Sequence, residues 1–276
     1  MDTMGMVKAV KTYTTPGIAD LYDKTRPNYN LSSVEFLLEK VDALKPHTGP
    51  EPFTIVELGA GTGRFTRAVL EVLKKQSVEN FKIIPTEPLT EMCEKFRKMM
   101  PDIEILQYTA SDLHGLANNS ADAILAGQSF HWFGMNPKAI DEIHRVLKPK
   151  AKLGIIWVMA DRSVPWINSI REILDPEFEK VDLPHPANRS LEPVRNHGGF
   201  GNEGKGDTAF KVSMELDLDG VMETHKAYSV IVCASDQDRK RILQAIEREM
   251  KTNPDTKDKQ KYNYELLTST HWFEKI

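Results

Sequence analysis

The chain has 276 residues, 36 basic and 40 acidic side chains and a formal net charge of −4. This length can bury one substantial core, and the mixed charges give no basic stripe of the kind that nucleic-acid binders carry. Two cysteines, Cys93 and Cys233, cannot make a disulfide framework, no histidine–cysteine cluster has metal-ligand spacing, and no run approaches ~20 apolar residues, so we expect a cytoplasmic protein without structural metal or membrane span.

The first predicted elements precede the sheet. Residues 1–30 are predicted to form an N-terminal arm, and residues 31–158 the core. A helix should begin near residue 32, where Ser32 or Ser33 can cap it. Its apolar stripe has helical spacing and comprises Val34, Leu37, Leu38, Val41 and Leu44.

The first predicted strand runs into a glycine turn. The apolar run from residue 53 contains Glu57 and is followed by Gly59, Gly61 and Gly63, after which helical spacing begins at Arg64. Glycine permits positive φ and a close approach of the backbone, and a helix N-terminus attracts polar or anionic groups. This corner is therefore predicted to bind a nucleotide-like ligand.

The glycine spacing does not match the fingerprint of a dinucleotide site. A dinucleotide fingerprint needs a glycine at the sixth position counted from Gly59, and that position is Arg64. The pattern Glu-x-Gly-x-Gly-x-Gly instead resembles the class I S-adenosylmethionine-dependent methyltransferases. In that family the turn wraps the methionine part of the cofactor and the acid lies near its amino group. The resemblance implies these roles for Glu57, Gly59, Ala60, Gly61, Thr62 and Gly63.

A second strand is predicted over residues 81–84, and Glu87 follows it at the edge where open α/β sheets bind ligands. By the resemblance, Glu87 accepts hydrogen bonds from the ribose hydroxyls of the cofactor. It also suits the start of a following helix, and both can be true. Pro88, Leu89 and Met92 are expected beside the adenine.

A third strand is predicted over residues 103–106. The family carries a small and a polar residue after this strand, which bracket the adenine, and Ala110, Ser111 and Asp112 match in kind. Either Ser111 or Asp112 can reach the ring, and for each a plain turn role is equally open.

A fourth strand is predicted over residues 123–127 and is followed by the segment Gln128-Ser-Phe-His-Trp-Phe133. This segment resembles the small-molecule subgroup often called methyltransferase type 11. Its bulky rings should line a cavity, since burial of each contributes roughly 1.5–3 kcal/mol. Gln128 and Ser129 are expected at the cofactor. Four residues are expected to contact the methyl acceptor: Phe130, His131, Trp132 and Phe133. His131 is either the catalytic base or a packing histidine.

A tyrosine four residues before Arg26-Pro27 matches the N-terminal pattern of the same subgroup. The family uses this segment as a flap over cofactor and acceptor. Tyr22 is thus assigned to both ligands, and Arg26 to a carboxylate of the cofactor or of the acceptor; a local surface pair is the alternative.

The alternation continues with a helix over residues 137–147 and a strand over residues 152–158. This order predicts an α/β fold with a Rossmann-like, mostly parallel sheet and helices on both faces. The resemblance implies seven strands, of which the last is antiparallel.

After residue 158 the alternation lapses. A helix is predicted over residues 163–174, and residues 159–207 are interpreted as a lid beside the acceptor. Gly199 to Lys205 mimics a phosphate loop but lacks the Ser/Thr, so a mobile loop is expected. Residues 208–276 should complete the sheet with strands over 209–216 and 264–273 and a helix over 237–251, while residues 228–233 suit strand or helix.

The pattern as a whole predicts methyl transfer from S-adenosylmethionine to a small molecule. A phenolic or other aromatic hydroxyl is the preferred acceptor, with His131 as base and Trp157 and Trp166 among the stacking residues. Esterification of a small carboxylic acid, oriented by Arg26, is the close alternative, and thiols and amines stay open.

Two other classes of protein remain as alternatives. A nicotinamide-dependent oxidoreductase is opposed by the glycine spacing, and a catalytically silent protein that only binds the cofactor is opposed by the intact motifs. We expect no nucleic-acid or membrane partner, and a monomer or a weak homodimer.

Overall fold

A computed structural model describes residues 17–47, 49–180, 189–206 and 210–276 of the chain. The N-terminal half contains α1 (Ile18–Thr25), α2 (Leu31–Lys40), β1 (Phe53–Leu58), α3 (Arg64–Lys75), β2 (Phe81–Thr86), α4 (Thr90–Met99), β3 (Ala121–Gly127), a 3-10 helix (Phe130–Trp132), α5 (Pro137–Val146) and β4 (Leu147–Ala160). The C-terminal half contains α6 (Pro165–Lys180), a 3-10 helix (Arg189–Leu191), α7 (Glu192–Asn196), β5 (Phe200–Gly206), β6 (Lys211–Leu216), α8 (Leu218–Lys226), α9 (Ser229–Cys233), α10 (Asp236–Thr252) and β7 (Tyr262–Lys275). Most of the predicted arm, residues 181–188 and 207 of the predicted lid, and residues 208 and 209 of the predicted C-terminal part lie outside the described residues.

The strands form one seven-stranded sheet with the order β2-β1-β3-β4-β7-β5, and β6 pairs with the other half of the same edge of β7. β1, β2, β3 and β4 pair in parallel, whereas β7 is antiparallel to β4, β5 and β6. Six strands therefore run in one direction and β7 runs against them. This confirms the predicted fold class.

Helices cover both faces of the sheet. On one face, α2 and α3 bury an apolar layer against β1, β3 and β4, in which Leu37, Val72 and Ile55 are fully buried. On the other face, α5 packs over a cluster that includes Phe130 and Trp157. The doubly covered parallel strands explain their nearly continuous apolar sequences.

The predicted third strand, residues 103–106, is wrong as a full strand. This edge segment makes a single parallel bridge, in which Leu106 N donates to Pro85 O at 2.9 Å and Glu87 N donates to Leu106 O at 3.0 Å. The ladder stops there because Pro85, on β2, has no amide hydrogen for the next carbonyl of the edge segment.

The loop predicted over residues 199–205 is also wrong, because Phe200–Gly206 forms strand β5. The glycines misled the prediction, since glycine weakens an isolated strand. In the fold, the Trp272 ring of β7 lies over Gly204, where an added Cβ would stand 1.9 Å from a ring atom. Glycine is therefore required by the neighbouring side chain.

Two local predictions need smaller corrections. The first core helix is capped by Asn30, whose side chain accepts from Ser32 N at 2.9 Å, rather than by Ser32 or Ser33. The helix after β4 continues beyond Leu174 to Lys180. Residues 228–233, which suited strand or helix, form the short helix α9.

Four helices, α6, α8, α9 and α10, form a C-terminal layer with the beginning of β7. Their common core contains Trp166, Ile246 and Tyr264, and Trp132 of the first 3-10 helix packs against it. Among the described helices, every one is too short or too polar to cross a bilayer.

Candidate active site

The turn after β1 has the backbone that its glycines allow. The φ angles of Gly59, Gly61 and Gly63 are 69°, 57° and 84°. A Cβ at Gly59 would lie 2.6 Å from the Ser129 side chain, so that position must stay bare, whereas a Cβ at Gly61 would meet nothing within 4 Å. Gly61 thus leaves open space beside the backbone, which suits a ligand that approaches it closely.

Glu87 joins the turns that follow β1 and β2. Its Oε2 accepts a hydrogen bond from Gly61 N at 3.0 Å, and its Oε1 accepts one from Leu89 N at 3.0 Å. An ionised carboxylate has about four lone-pair positions, so each oxygen can accept a further hydrogen bond from a ligand hydroxyl. The side chain is only 5% exposed, which excludes most competing water.

Glu57 lies at the end of β1 and is buried. Its Oε2 accepts a hydrogen bond from Thr66 Oγ1 at 2.6 Å, while Oε1 is buried without a hydrogen-bond partner among the described residues. A buried carboxylate oxygen without a donor is costly, and a ligand that supplies one relieves that cost.

The two acids give this corner a distinct electrostatic character. Burial raises the pKa of Glu57 to about 7, helped by the nearby Glu87 and opposed by the Thr66 hydrogen bond. Burial likewise raises the pKa of Glu87 to about 7, despite the hydrogen bonds from Leu89 and Gly61. A cationic ligand stabilises the ionised form of both acids, whereas an anionic pyrophosphate would be repelled by them.

A cavity opens at the carboxyl ends of β1, β2 and β3. Most of the residues predicted at the cofactor line it, together with two aromatic residues predicted on the acceptor side. These are Gly59, Ala60, Gly61, Thr62, Glu87, Pro88, Leu89, Met92, Ala110, Ser111, Gln128, Ser129, Trp132 and Phe133.

The cavity wall distinguishes Ser111 from Asp112. Ser111 lines it. The Asp112 side chain is 60% exposed and its Oδ1 lies 3.1 Å from His114 Nδ1, so it faces solvent. Gly63 also stays behind the wall, where a Cβ would meet Met100 Sδ at 2.8 Å.

Three of the predicted stacking aromatics lie in the core instead. Phe130 is fully buried and Trp157 is 2% exposed in the cluster beneath α5. Trp166 packs beside Tyr262 and Tyr264 in the C-terminal layer, with ring centroids 6.0 and 5.6 Å away. The assignment of these three rings to the acceptor site therefore does not fit their burial.

Two other predicted residues, His131 and Arg26, stand beside the cavity wall rather than in it. His131 is partly buried, and its ring centroid lies 5.1 Å from that of Trp132. The Arg26 guanidinium lies 4.9 Å from the ring centroid of Tyr228. The backbone of Tyr22 belongs to α1, while its side chain is outside the part that the structure describes.

The sequence analysis missed several residues of the wall: Tyr29, Arg64, Phe65, Tyr108, Thr109, Gly127 and Asn136. Arg64 is the most informative of them. Its guanidinium donates to Asp23 O at 2.6 Å, Arg26 O at 2.7 Å and Pro27 O at 3.0 Å, which ties the end of α1 to the glycine turn. Its position directly after Gly63 was the available signal.

Comparison with known proteins identifies methyltransferases as relatives of this chain. Residues 56–155 match a family model described as a methyltransferase domain. An uncharacterized methyltransferase-like protein of Schizosaccharomyces pombe is 30% identical over 247 residues, covering 89% of this chain and 88% of the relative. A second S. pombe protein, an uncharacterized methyltransferase, is 27% identical over 266 residues, covering 96% and 98% of the two chains.

The fold is shared with solved structures as well. The YcgJ protein of Bacillus subtilis superposes with a TM-score of 0.51 at 16% identity, covering 87% of this chain and 97% of that one. Taken with the relatives and the glycine turn, the chain belongs to the class I S-adenosylmethionine-dependent methyltransferases that act on small molecules.

The residues present fit S-adenosylmethionine. The cofactor carries a sulfonium and an ammonium group, whose positive charges suit two buried carboxylates. Glu87 lines the cavity, whereas Glu57 is buried behind its wall. The open side of Gly61 leaves room for its chain. The family and the geometry therefore agree on this cofactor.

Proposed function

We propose that this protein transfers the methyl group of S-adenosylmethionine to an oxygen atom of a small molecule. The observation that carries the proposal is the position of Trp132, which lines the donor cavity and also packs against the C-terminal helical layer. An acceptor that enters beside this ring would reach the donor cavity.

Under this proposal, Glu57 receives the ammonium of the cofactor, Glu87 its ribose hydroxyls, and Ala110, Ser111, Leu89 and Met92 its adenine. The two hydrogen bonds that Glu87 accepts from Gly61 and Leu89 hold its carboxylate in place before the ligand arrives. Gln128 donates through Nε2 to Val158 O at 2.7 Å, so its amide oxygen is left to face a ligand donor.

The bound cofactor supplies an activated methyl group. The protein must align an acceptor oxygen with it, and positioning alone can contribute up to ~7–11 kcal/mol of the barrier. An oxygen lone pair forms the new bond to carbon, the carbon–sulfur bond breaks, and its electron pair stays on sulfur, which gives S-adenosylhomocysteine.

A phenolic or other aromatic hydroxyl is the first candidate acceptor. Trp132 and Phe133 line the cavity and supply flat apolar surfaces against which such a ring can stack. The hydroxyl proton must leave during the reaction, and His131, beside Trp132, is the proposed base that takes it up and passes it to solvent.

A carboxyl oxygen is the second candidate, which the Arg26 guanidinium over Tyr228 favours. A carboxylate is already deprotonated at neutral pH and needs no base. The burial of Phe130, Trp157 and Trp166 removes three of the five aromatic residues that favoured a phenol. A phenol and a carboxylate are therefore almost equally supported as acceptors.

The experiment is methyl transfer from labelled S-adenosylmethionine to a panel of phenols, carboxylic acids, thiols and amines, with products identified by mass. We expect label on oxygen of a phenol or an acid. If S-adenosylhomocysteine raises the melting midpoint but the whole panel stays unlabelled, a catalytically silent cofactor-binding protein is the better description. A rise in the midpoint with dinucleotides instead would point to an oxidoreductase.

A further inference from the structure

A polar cluster lies inside the C-terminal helical layer and takes no part in the donor site. The Tyr228 and Tyr264 hydroxyls are 3.1 Å apart, and the Arg26 guanidinium stands 4.9 Å from the Tyr228 ring centroid. The His225 ring is 5.0 Å from that of Tyr228. His225 is fully buried and Tyr264 is 1% exposed, so these polar groups interrupt an otherwise apolar core.

The cluster lies at the same edge of the sheet as the donor cavity. Tyr264 is near the start of β7, and Ala160 at the end of β4 pairs with Leu266 of that strand. Because β7 is antiparallel, its beginning meets the carboxyl ends of the parallel strands, where open α/β sheets bind ligands. Trp132 separates the two, since it lines the cavity and packs against the core that contains Tyr264.

Arg26 is fixed in this place from the donor side. Its carbonyl oxygen accepts from Arg64 Nη2 at 2.7 Å, and the neighbouring Pro27 carbonyl accepts from the same nitrogen at 3.0 Å. Asp23, one turn earlier, accepts from Thr62 Oγ1 at 2.9 Å. The segment that carries Arg26 is thus anchored to the glycine turn, while its guanidinium reaches the tyrosine.

Two arginines, Arg171 and Arg26, bring positive charge to the cluster. Burial, opposed by the hydrogen bond to Val221 and assisted by the charges of Arg171 and Arg26, lowers the pKa of His225 to about 4, so the ring is neutral. Burial raises the pKa of Tyr264, whose hydroxyl stays protonated. Arg171 has an acidic partner, Asp175, at 2.6 Å. Guanidinium and phenolic hydroxyl groups together offer hydrogen-bond donors to an anion.

The cluster also holds an unused acceptor. The Nδ1 atom of His225 lies 2.7 Å from Val221 O and must donate to it, which leaves Nε2 as the bare nitrogen of the neutral ring. That nitrogen is buried and has no hydrogen-bond partner among the described residues. The polar groups here are therefore not fully satisfied by the protein itself, and a polar ligand or water would complete them.

We infer that Arg26 and Tyr228 bind a carboxylate of the methyl acceptor, and that the acceptor is a small organic acid. Tyr264 orients the Tyr228 hydroxyl, and Arg64 positions Arg26. A planar guanidinium matches a carboxylate in a way that a point charge does not, and such charge-assisted hydrogen bonds are short and strong. The inference rests on the proposed function and holds whether the carboxylate or a hydroxyl beside it is methylated.

The test measures binding rather than turnover. Protein saturated with S-adenosylhomocysteine is titrated in a calorimeter with small mono- and dicarboxylic acids and with the primary amides of the same skeletons. We expect at least one acid to bind at least tenfold more tightly than its amide. Arg26→Gln should abolish this preference, and Tyr228→Phe, which removes only a hydroxyl, should weaken acid binding threefold or more.

Two controls show whether a loss of acid binding is specific to the carboxylate subsite. The affinity for S-adenosylhomocysteine should change less than about twofold in Arg26→Gln and Tyr228→Phe, and Arg162→Gln, an exposed arginine paired with Asp175, should change nothing. A wild-type protein that binds every amide as well as its acid overturns the inference. So does an Arg26→Gln variant that loses tenfold in S-adenosylhomocysteine affinity, because Arg26 then serves the cofactor.

The outcomes for the two proposals are separable. Acids that bind through Arg26 without methyl transfer to any of the panel would contradict the proposed function, and only the carboxylate-binding role of Arg26 and Tyr228 would stand. Methyl transfer to amides and acids at equal kcat/KM would support the proposed function and contradict the carboxylate subsite. If Arg26→Gln does not fold, Tyr228→Phe tests the subsite alone, because it removes only a hydroxyl. Unchanged acid binding in Tyr228→Phe would contradict the subsite.

Discussion

The carboxylate of Glu87 accepts a hydrogen bond from the amide of Gly61 at 3.0 Å, across the carboxyl ends of β1 and β2. This contact holds the two turns of the donor site together before any ligand binds. It also buries a second acid near Glu57, whose pKa is raised first by its own burial and then by the charge of Glu87. Affinity for a cationic cofactor and sensitivity to pH therefore have one structural origin.

Cofactor binding should release protons near neutral pH. The pKa of both Glu57 and Glu87 is about 7 in the free protein, and hydrogen bonds from the cofactor favour the ionised forms. We expect affinity for S-adenosylhomocysteine to fall as the pH drops from 8 to 6, with about one proton released per ligand at pH 7. Calorimetry in two buffers of different ionisation enthalpy measures this number.

The same acids should shape the stability of the free protein. A carboxyl group with a raised pKa binds its proton more tightly when folded, so stability falls as the pH rises from about 4.5 to about 7. Glu87→Gln should flatten this part of the profile by on the order of 1–3 kcal/mol in urea denaturation. A variant with the slope of the wild type would contradict the assigned pKa.

Substitution of Gly61 by arginine should abolish cofactor binding and leave the protein folded. A side chain at Gly61 meets no protein atom within 4 Å and would occupy the ligand space. Its positive φ costs on the order of 1–3 kcal/mol for a non-glycine residue. Calorimetric titration with S-adenosylhomocysteine measures the loss, and circular dichroism the fold.

Gly17 provides the matched control for that substitution. It also has a positive φ, 79°, with nothing within 4 Å of an added Cβ, but it does not line the cavity. Gly17→Arg should bind the cofactor with nearly wild-type affinity. Unchanged binding in Gly61→Arg would remove the donor site from this turn.

The variant His131→Ala should separate the two candidate acceptors. A general base contributes typically ~10²–10⁴-fold to turnover, so methyl transfer to a hydroxyl should fall by that factor with little change in cofactor affinity. Transfer to a carboxylate needs no base and should change less than a few-fold. Steady-state rates on one acceptor of each kind measure the difference.

His114→Ala is the control for His131, because this histidine is 68% exposed and pairs with Asp112 at the surface. It should leave both rates unchanged. Wild-type rates in His131→Ala on a phenolic acceptor would exclude it as the base.

Strand β5 should depend on Gly204. A methyl group there would stand 1.9 Å from the Trp272 ring, and overpacking of this kind costs about 1–3 kcal/mol. Gly204→Ala should lose that much stability in urea denaturation. Gly201→Ala is the control, because its Cβ would meet only Ile276 at 3.1 and 3.8 Å. Equal stability of the two variants would contradict the packing of Trp272 on the strand.

The donor half of the site could be predicted from sequence because it is local. Glu57 ends β1 together with Leu58, the three glycines follow that strand, and Glu87 follows β2. In parallel strands such positions meet at one edge. The spacing of the glycines also separated this cofactor from a dinucleotide, since it is the turn itself that makes the contacts.

The acceptor half could not be predicted in the same way, because it depends on side-chain direction and on distant segments. The 3-10 helix after β3 sends Phe130 into the core and Trp132 to the cavity, although they are two positions apart. An unbroken aromatic run carries no signal for that division. The sequence likewise gives no signal that Ser111 lines the cavity while Asp112 faces solvent.

By itself, the sequence determined most of the strand and helix order up to residue 160, the class of fold and the cofactor, because backbone periodicity and turn chemistry act over a few neighbouring residues. Only the tertiary structure decided that Gly204 lies in a strand beneath Trp272, and that Arg26 from one end of the chain stands over Tyr228 from the other. Those contacts come from packing between segments far apart in the chain, and burial rather than local spacing fixes them.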